Sequence, residues 1–391
     1  MNIKELSRAY AADTVSARRY LHAHPELGTR EFATTEYICR QLEAFGVQVQ
    51  RFEDITGCVG VIEGATPGKT VMLRADIDAL PIQEGDKTSS YCSVNDGVMH
   101  ACGHDCHTAM LLTAARILME KRGEFKGRVK LLFQMGEELG RMSEKYVERG
   151  VLDDLEAVFG MHIWNNLDAG KANFVTGERM ACSDRFTVNI SGEAAHGSTP
   201  FLGKDALVAA AATVMALQTI VSRGNDPRDA LVITVGKMNG GDAVNVLADR
   251  TELVGTCRAF NRSLRERLPQ LIKETAERAA AAYGCRAECT YYFGPDPVIN
   301  EHEELVELAA AAAEEQLGAA YHQDLPKMLG AEDFSVFMSR VPGVYGYLGG
   351  RNKAKGLTVG HHHPLFDTDE DVLQHGAGIY AGFAVKYLMR K

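Results

Sequence analysis

Hydrophobic and polar positions along the first 180 residues alternate between two patterns. Apolar side chains recur at helical spacing over 3–23, 31–45 and a stretch ending near 122. Short apolar runs of strand length lie between or beyond them, at 47–52, 58–63, 70–75, 128–134 and 157–163. Strands that alternate with helices predict an α/β fold, with a mostly parallel sheet covered by helices on both faces.

The pattern changes near residue 184. Half-exposed strands at 185–192, 230–239, 251–259 and 286–293 alternate with helices at 204–222 and up to Gly284, which predicts a small α+β domain. After 294–297 the α/β pattern returns, with helices near 302–318, 332–340 and 370–388 and a strand near 344–348. We therefore expect a discontinuous catalytic domain of residues 1–183 and 295–391, interrupted by an inserted domain of residues 184–294.

Composition narrows the class of protein. The chain has 391 residues, 46% of them hydrophobic, and a formal net charge of -10, which argues against nucleic-acid binding. Its N-terminus lacks the apolar stretch of a signal peptide, and no run approaches the roughly 18 apolar residues of a membrane span. Nine cysteines without a targeting signal indicate reduced thiols in the cytoplasm.

The densest chemistry lies in residues 99–108, where three histidines, two cysteines and one aspartate precede an alanine-rich helix. Sulfur and imidazole ligands at this density favour zinc or a similar transition metal. Cys102 and His104 flank Gly103, so a turn can direct both side chains to one side. A structural zinc site or ordinary buried cysteines are the alternatives. No second paired ligand set accompanies the stretch, which favours a catalytic site.

Three predicted strand ends carry further candidate groups, namely Asp76 with Asp78, Glu137 with Glu138, and His162. Together with Cys102 and His104 they suffice for two metals. Adjacent carboxylates at a strand end point to opposite sides, so one glutamate can bind metal while the other acts as a base.

Other candidates are scattered. At least one histidine of 361–363 is expected to bind metal. His196 lies in a Gly/Ser/Pro turn, where it is either an ordinary loop residue or a donor to an oxyanion. Asn245 and Arg258 could bind a substrate carboxylate, although alone both would be unremarkable.

Motifs along nearly the whole chain resemble the amidohydrolase branch of the M20 metallopeptidases, which includes hippurate hydrolases, N-acyl-amino-acid amidohydrolases and auxin-conjugate hydrolases. They are HPELG (24–28), RADIDALP (74–81), MHACGHDCHTAML (99–111), LLFQMGEE (131–138), GMHIW (160–164), AAHGSTP (194–200), NVLAD (245–249), GAEDF (330–334) and HHPLFD (362–367). The resemblance implies a zinc-peptidase-like catalytic domain with an inserted ferredoxin-like lid of four strands, which also forms a homodimer.

The resemblance also implies roles for individual residues. Two divalent metals, with zinc expected and manganese, cobalt or nickel as alternatives, would share the Cys102 thiolate. The resemblance implies His104, Glu138, His162 and His362 as the remaining ligands and Glu137 as the general base. It also implies Asp76 as a supporting carboxylate, His196 as the lid histidine, and Asn245 and Arg258 as substrate contacts.

The function implied is hydrolysis of N-acyl amino acids to a carboxylic acid and a free amino acid. A dipeptidase or aminoacylase, a non-hydrolytic ligand-binding relative and a purely structural metal remain alternatives. Relatives commonly carry Pro-Ala before the paired glutamates, where this chain has Met135-Gly136. With the bulky Leu139, Arg141 and Met142, this departure is expected to alter the acyl pocket rather than the reaction.

Overall fold

A computed structural model describes residues 1–85 and 87–390. The chain divides into two compact units. The first unit comprises Met1–Arg179, Ile299–Pro326 and Asp333–Lys391, and the second comprises Met180–Val298 and Lys327–Glu332. The first segment of the second unit overlaps the insertion of residues 184–294 expected from the sequence. The short segment Lys327–Glu332 also belongs to this unit, which the sequence did not indicate.

Helices and strands alternate along most of the described chain. The helices are α1 (Ile3–Ala9), α2 (Ala11–Ala23), α3 (Phe32–Ala44), α4 (His104–Lys121), α5 (Glu144–Val147), α6 (Ala206–Thr219), α7 (Arg262–Ala281), α8 (Glu303–Leu317), α9 (Ser335–Met338) and α10 (Leu373–Leu388). The strands are β1 (Gln48–Arg51), β2 (Cys58–Glu63), β3 (Thr70–Asp76), β4 (Arg128–Gln134), β5 (Ala157–Asp168), β6 (Ala172–Asn173), β7 (Gly177–Met180), β8 (Asp184–Ser191), β9 (Leu231–Gly240), β10 (Arg250–Ala259), β11 (Arg286–Tyr292), β12 (Val298–Asn300) and β13 (Gly343–Arg351).

Three predicted helices differ from those observed. The helix expected over 3–23 is divided at Tyr10, whose backbone (φ -96°, ψ 8°) ends α1 and precedes α2. The guanidinium of Arg116 lies over the ring of this tyrosine, 3.7 Å from the ring centroid, in a cation–π contact. The helices expected over 142–150 and 332–340 shorten to the single turns α5 and α9.

The first unit is built on a mixed seven-stranded sheet in the order β1-β2-β4-β3-β5-β13-β6. The four central strands β4, β3, β5 and β13 run parallel, as the alternating pattern predicts. Strands β1, β2 and β6 join antiparallel at the edges, so the expectation of a mostly parallel sheet holds only for the centre. The carboxyl ends of the parallel strands meet along one edge, the usual place for a site in such sheets.

Side chains of β3 show how the central sheet is packed. Val71, Leu73 and Ala75 join the main apolar core, to which α4 and α10 contribute, while Arg74 on the opposite face lies beneath the ring of Phe334. Both faces of the strand are buried, which explains its continuous apolar sequence. The core thus fixes the strand whose end carries Asp76.

The second unit has an antiparallel four-stranded sheet in the order β11-β8-β10-β9. Helices α6 and α7 pack together, and α7 contacts β11 while α6 contacts β10. Its core is separate and includes Phe186, Leu253 and Leu268. This is the small α+β arrangement that the strand pattern predicts, whereas its service as a lid or dimer contact stays a prediction.

One helical segment of the second unit is apolar on average. Ala206–Gly224, which is α6 with the turn that follows it, is long and apolar enough to cross a membrane by length and composition. Thr213, Gln218 and Thr219 interrupt its apolar residues, so the segment is not a continuous apolar run. About a third of this segment is buried within the protein, and length and composition alone are weak evidence for a membrane span.

Candidate metal centre

The predicted ligand stretch is a loop that becomes a helix. Gly103 caps α4 with a left-handed backbone (φ 89°), and a Cβ there would lie 2.5 Å from Cγ2 of Ile163. Only glycine fits this turn, for both reasons. Cys102 therefore lies just before the helix and His104 in its first turn, and both are buried against the sheet.

Two groups of three potential ligands share Cys102. One is Cys102, His104 and His162, and the other is Cys102, Glu138 and His362; within each group the ligand atoms lie within 4.8 Å of one another. The Cys102 Sγ is 3.4 Å from Nε2 of His162 and 3.3 Å from Nε2 of His362. All five residues named as ligands from the sequence thus lie together around one sulfur.

Two histidines of the centre are oriented through their Nδ1 atoms. The Nδ1 of His104 is 3.0 Å from the carbonyl of Asp78, and that of His162 is 2.6 Å from the carbonyl of Ile163. Each ring thus has Nδ1 at a backbone acceptor, which leaves Nε2 to face the cluster. The Nε2 of His104 is buried and has no hydrogen-bond partner among residues 1–85 and 87–390.

The paired glutamates are placed by a turn rather than by a strand end. Gly136 has a left-handed backbone (φ 62°), and Glu137–Leu139 form one 3₁₀ turn, so the expectation based on strand alternation is wrong. Glu138 Oε1 lies 3.0 Å from Nε2 of His362, whereas Glu137 Oε1 accepts the Asp333 amide at 3.3 Å. The two carboxylates still point to different partners, which is the division of labour expected of a ligand and a base.

His362 is distinguished from its neighbours by its contacts. Its backbone is left-handed (φ 60°), uncommon for a residue with a Cβ, and its amide donates to the Ala101 carbonyl at 2.8 Å. His361 instead stacks on Trp164 with ring centroids 4.4 Å apart, and the His363 Nδ1 accepts the Leu365 amide. The choice of His362 from the family pattern thus agrees with its approach to Cys102.

Electrostatics in the cluster favour a cation. Burial alone would lower the pKa of His104, but the carboxylates of Asp76, Asp78 and Glu138 outweigh burial and raise it to about 10. Burial and the nearby Glu138 and Glu137 raise the pKa of the Cys102 thiol. Both shifts report a buried site of negative potential, in which bound protons compensate the carboxylates.

The donor set fits divalent metal ions. Each of the two groups places three potential ligands within 4.8 Å of one another, and together the groups contain one thiol, three imidazoles and one carboxylate. Among the described residues, the His104 Nε2 has no hydrogen-bond partner. Such sets suit zinc and related transition metals. Residues of the first unit could therefore hold two ions, one in each group, with the Cys102 sulfur common to both.

Several supporting residues were not assigned from the sequence. The Asp78 carboxylate accepts the amides of Glu137 and Glu138 at 3.0 and 3.1 Å and lies 3.2 Å from Nδ1 of His104. His107 donates to Asp76 (Nδ1 to Oδ1, 2.5 Å) and accepts the Ile163 amide at 2.8 Å, next to His162. Their positions in RADID and HDCH were visible, but their partners depend on the tertiary fold.

Two more carboxylates act from further out. Asp76 accepts from Arg74 at 2.6 Å, and its Oδ2 lies 3.8 Å from Nε2 of His104, which agrees with the supporting place predicted for it. Glu31 is buried and accepts the Gly136 amide at 2.8 Å and the Thr56 hydroxyl at 2.6 Å. It thereby holds the turn that presents Glu137, although its sequence gave no sign of this.

The three remaining predicted residues belong to the second unit. His196 is exposed, with Nδ1 accepting from the Ser198 amide at 3.1 Å, and the adjacent Gly197 amide donates to the Asn245 carbonyl at 2.7 Å. Arg258, on β10, is half-buried and donates to the carbonyl of Cys257 at 3.0 Å. The structure brings His196 and Asn245 near one another, and the roles of all three stay predictions.

Comparisons with known proteins complete this description. The model of Peptidase family M20/M25/M40 matches residues 72–386. An N-acetyl-L-cysteine deacetylase of Bacillus subtilis (strain 168) is 39% identical, covering 92% of this chain and 84% of the relative. An N-acyl-L-amino acid amidohydrolase of Geobacillus stearothermophilus is 41% identical over 77% of this chain and 81% of the relative.

A solved structure agrees with both. A Bacillus subtilis protein described as a dinuclear metal-binding peptidase from the M20 family superposes with a TM-score of 0.86 at 33% identity, covering 97% of this chain and 99% of the other. The resemblance seen in the motifs is thereby confirmed. With the family match spanning most of its length, the chain belongs to Peptidase family M20/M25/M40 and is a hydrolase.

Proposed function

We propose that this enzyme hydrolyses the amide bond of N-acyl amino acids, using two divalent metals held around Cys102. The observation that carries the proposal is the pair of three-ligand groups sharing one buried sulfur, with Glu137 beside them. The similarity to a deacetylase and an amidohydrolase of N-acyl amino acids supports this class of substrate. Cys102, His104 and His162 would hold one metal, and Cys102, Glu138 and His362 would hold the other.

Glu137 is the proposed proton carrier. When bound, the two cations supply Lewis acidity, which polarises an amide carbonyl and acidifies a water. Glu137 removes a proton from the attacking water and delivers it to the leaving nitrogen. Asp78 holds the Glu137 amide and Glu31 holds the preceding Gly136 amide, so the base is fixed through its backbone on both sides.

Residues of the second unit complete the proposal. His196 is proposed as a donor to the tetrahedral oxyanion, because it is exposed and carries a polar ring. Asn245 and Arg258 are proposed to bind the substrate carboxylate, for which a guanidinium offers a bidentate fork. Substitution of each should raise KM or lower kcat for N-acyl amino acids without changing metal content.

The bulky residues that follow the paired glutamates bear on which acyl group the enzyme prefers. Leu139 is 57% exposed and packs beside Gly28, whereas the Arg141 guanidinium is paired with Glu144. Leu139 is thus the apolar side chain presented two residues after Glu137. We propose that it contacts the acyl group and favours apolar acyl chains; Leu139→Ala should then shift preference among acyl lengths while metal content stays unchanged.

The direct test is amine release from N-acetyl, N-benzoyl and longer N-acyl amino acids and from dipeptides. Each would be assayed with added zinc, manganese or cobalt and again after chelation. Metal-dependent release from N-acyl amino acids supports the proposal, and the preferred metal would identify the ion. Faster release from dipeptides would favour the dipeptidase alternative, and no release from metal-loaded protein would contradict hydrolysis of either class.

A homodimer formed through the second unit is also proposed. Leu207, Val208 and Met215 of α6 are exposed apolar residues, and β9 is an edge strand of the four-stranded sheet. Both features suit an isologous contact with a second copy. Met215→Glu should convert the dimer to a monomer in sedimentation velocity.

We propose the cytoplasm as the compartment, since all nine cysteines are free thiols.

A further inference from the structure

The first unit contains a buried arginine that does not belong to the metal centre. Arg18, on α2, has no solvent-exposed surface. Its Nε donates to Asp105 at 2.8 Å, and its terminal nitrogens donate to Asp367 at 2.8 Å and to Glu370 at 3.2 Å. One guanidinium thus bonds three carboxylates from two distant parts of the chain.

Those carboxylates belong to the segments that carry ligands. Asp105 directly follows His104 in the first turn of α4. Asp367 ends the loop that begins at His362, and that loop is also held by the Pro364 carbonyl, which accepts the Gly85 amide at 2.8 Å. Arg18 therefore connects a segment of the first ligand group to a segment of the second.

A second layer restrains the same carboxylates. The His22 Nδ1 lies 2.7 Å from Oδ2 of Asp105, and its Nε2 lies 3.3 Å from Glu84, which also accepts the Ser93 amide. The Tyr91 hydroxyl donates to Asp367 at 2.8 Å. Because each carboxylate has more than one donor, small rotations of the guanidinium are opposed from several directions.

Stability alone is a poor explanation for such a network. Burying an arginine with carboxylates costs desolvation energy that the ion pairs recover only partly, so apolar residues of similar volume often serve stability equally well. Fixed geometry is the property that apolar packing supplies less well. At this place the geometry concerns the separation between the His104 and His362 segments.

We propose that Arg18 is a positioning residue that sets the spacing of the His104 and His362 segments, so that two metals can share Cys102. The inference rests on the proposed function, because it requires the two-metal centre. Arg18 contacts neither His104 nor His362 directly, and it acts through Asp105 and Asp367. Its loss should change how the centre binds metal before it changes whether the chain folds.

The test uses cobalt titrations of metal-depleted full-length protein, for wild type and for Arg18→Lys and Arg18→Met. Cobalt absorption reports both stoichiometry and ligand geometry. We expect wild type to bind two Co²⁺, and both variants to bind the second with a Kd at least tenfold higher and with altered d–d bands. Asp367→Asn, which removes one partner at a less buried position, should shift the bands in the same way.

Two matched arginine variants separate positioning from general damage. Arg19→Lys alters an exposed pair with the same Glu370, and Arg265→Lys alters a buried pair with Asp184 in the second unit. Both should keep the wild-type cobalt spectrum, although Arg265→Lys lowers the melting temperature. Thermal melts of the metal-free proteins show how much each variant affects folding.

The outcomes that overturn the proposal are distinct. Arg18 variants that bind two Co²⁺ with wild-type affinity and spectrum would show that Arg18 does not position the centre. Arg18→Lys, Arg18→Met and Asp367→Asn all unfolding without metal would assign the network a structural role instead. Wild-type protein that binds fewer than two Co²⁺ would overturn the metal centre itself, and the proposed function with it.

Discussion

Asp184 and Cys102 are each the focus of a buried polar cluster, one in the second unit and one in the first. Around Asp184 every donor finds an acceptor: its carboxylate accepts from Arg265 at 2.8 and 2.9 Å, from the Tyr291 hydroxyl at 2.8 Å and from the Gly294 amide at 2.9 Å. The Arg265 Nη1 donates to Asp296, and Nη2, which also bonds Asp184, donates to the Gly294 carbonyl at 2.7 Å. Because its donors and acceptors are paired with one another, such a closed network offers none for binding a ligand.

Around Cys102 the bonding is incomplete in the described part of the chain. The His104 Nε2 has no partner, and neither ring nitrogen of the nearby buried His100 has one. Burial lowers the pKa of His100 to about 3, so the ring is neutral at physiological pH. Buried polar atoms without partners are rare in native proteins, and at a convergence of ligand types they suit the binding of an ion.

The largest expected effect concerns Glu137, the proposed base of the open cluster. Glu137→Gln keeps the shape of the side chain but removes its ability to accept a proton, so kcat should fall by about 10³-fold. Metal content, measured by mass spectrometry of the purified protein, should stay at the wild-type value. Glu148→Gln, the same substitution at an exposed glutamate, serves as the control. If Glu137→Gln is as active as the wild-type enzyme, Glu137 is not the base.

The closed cluster should behave in the opposite way. Arg265→Met leaves the Asp184 carboxylate buried without its cation, which should cost about 3–5 kcal/mol of unfolding free energy in urea titrations. Because the Asp184 carboxylate is paired with donors of the protein itself, metal stoichiometry should not change. Adding Asp184→Asn should recover part of the loss, and a fall in metal content in either variant would erase the contrast between the clusters.

Metal removal should affect only the open cluster. A ligand that binds the folded state at a hundred times its Kd adds about 2.7 kcal/mol of stability, so chelation should lower the melting temperature of wild type. Cys102→Ala, which lacks the shared sulfur, should melt at nearly the same temperature with and without chelator. An equal response of both proteins would remove the thiolate from the centre.

A pH-dependent effect of comparable size concerns Glu31. Burial raises the pKa of Glu31 from 4.5 to about 7, so the folded state binds the extra proton between those values and stability falls as pH rises through that range. The maximum loss is about 3 kcal/mol. Glu31→Gln should be insensitive in this window and relatively more stable at pH 8; parallel stability profiles from pH 5 to 8 would contradict the raised pKa.

The sequence supplied the parts whose geometry is local. The turn at Gly103 between Cys102 and His104 could be predicted from a short motif because a few residues fix it. The glutamate pair after β4 was also recognised from its motif, although the 3₁₀ turn that places it was not. The alternation of strands and helices likewise predicted the central parallel strands, and the pattern after residue 184 predicted the four strands and two helices of the second unit.

What could not be read depends on contacts between distant segments. Arg18 lies 87 positions from Asp105, and Glu31 lies 105 positions from Gly136. Neither residue stands in a ligand motif, and only the fold brings each beside one.

The most direct test of the account is X-ray absorption spectroscopy of the protein loaded with two equivalents of zinc. We predict one sulfur per zinc at about 2.3 Å and a zinc–zinc distance of about 3.5–4 Å, with the sulfur contribution lost in Cys102→Ala. Nitrogen and oxygen ligands alone, or an isolated zinc without a second metal nearby, would contradict a centre built on one shared thiolate.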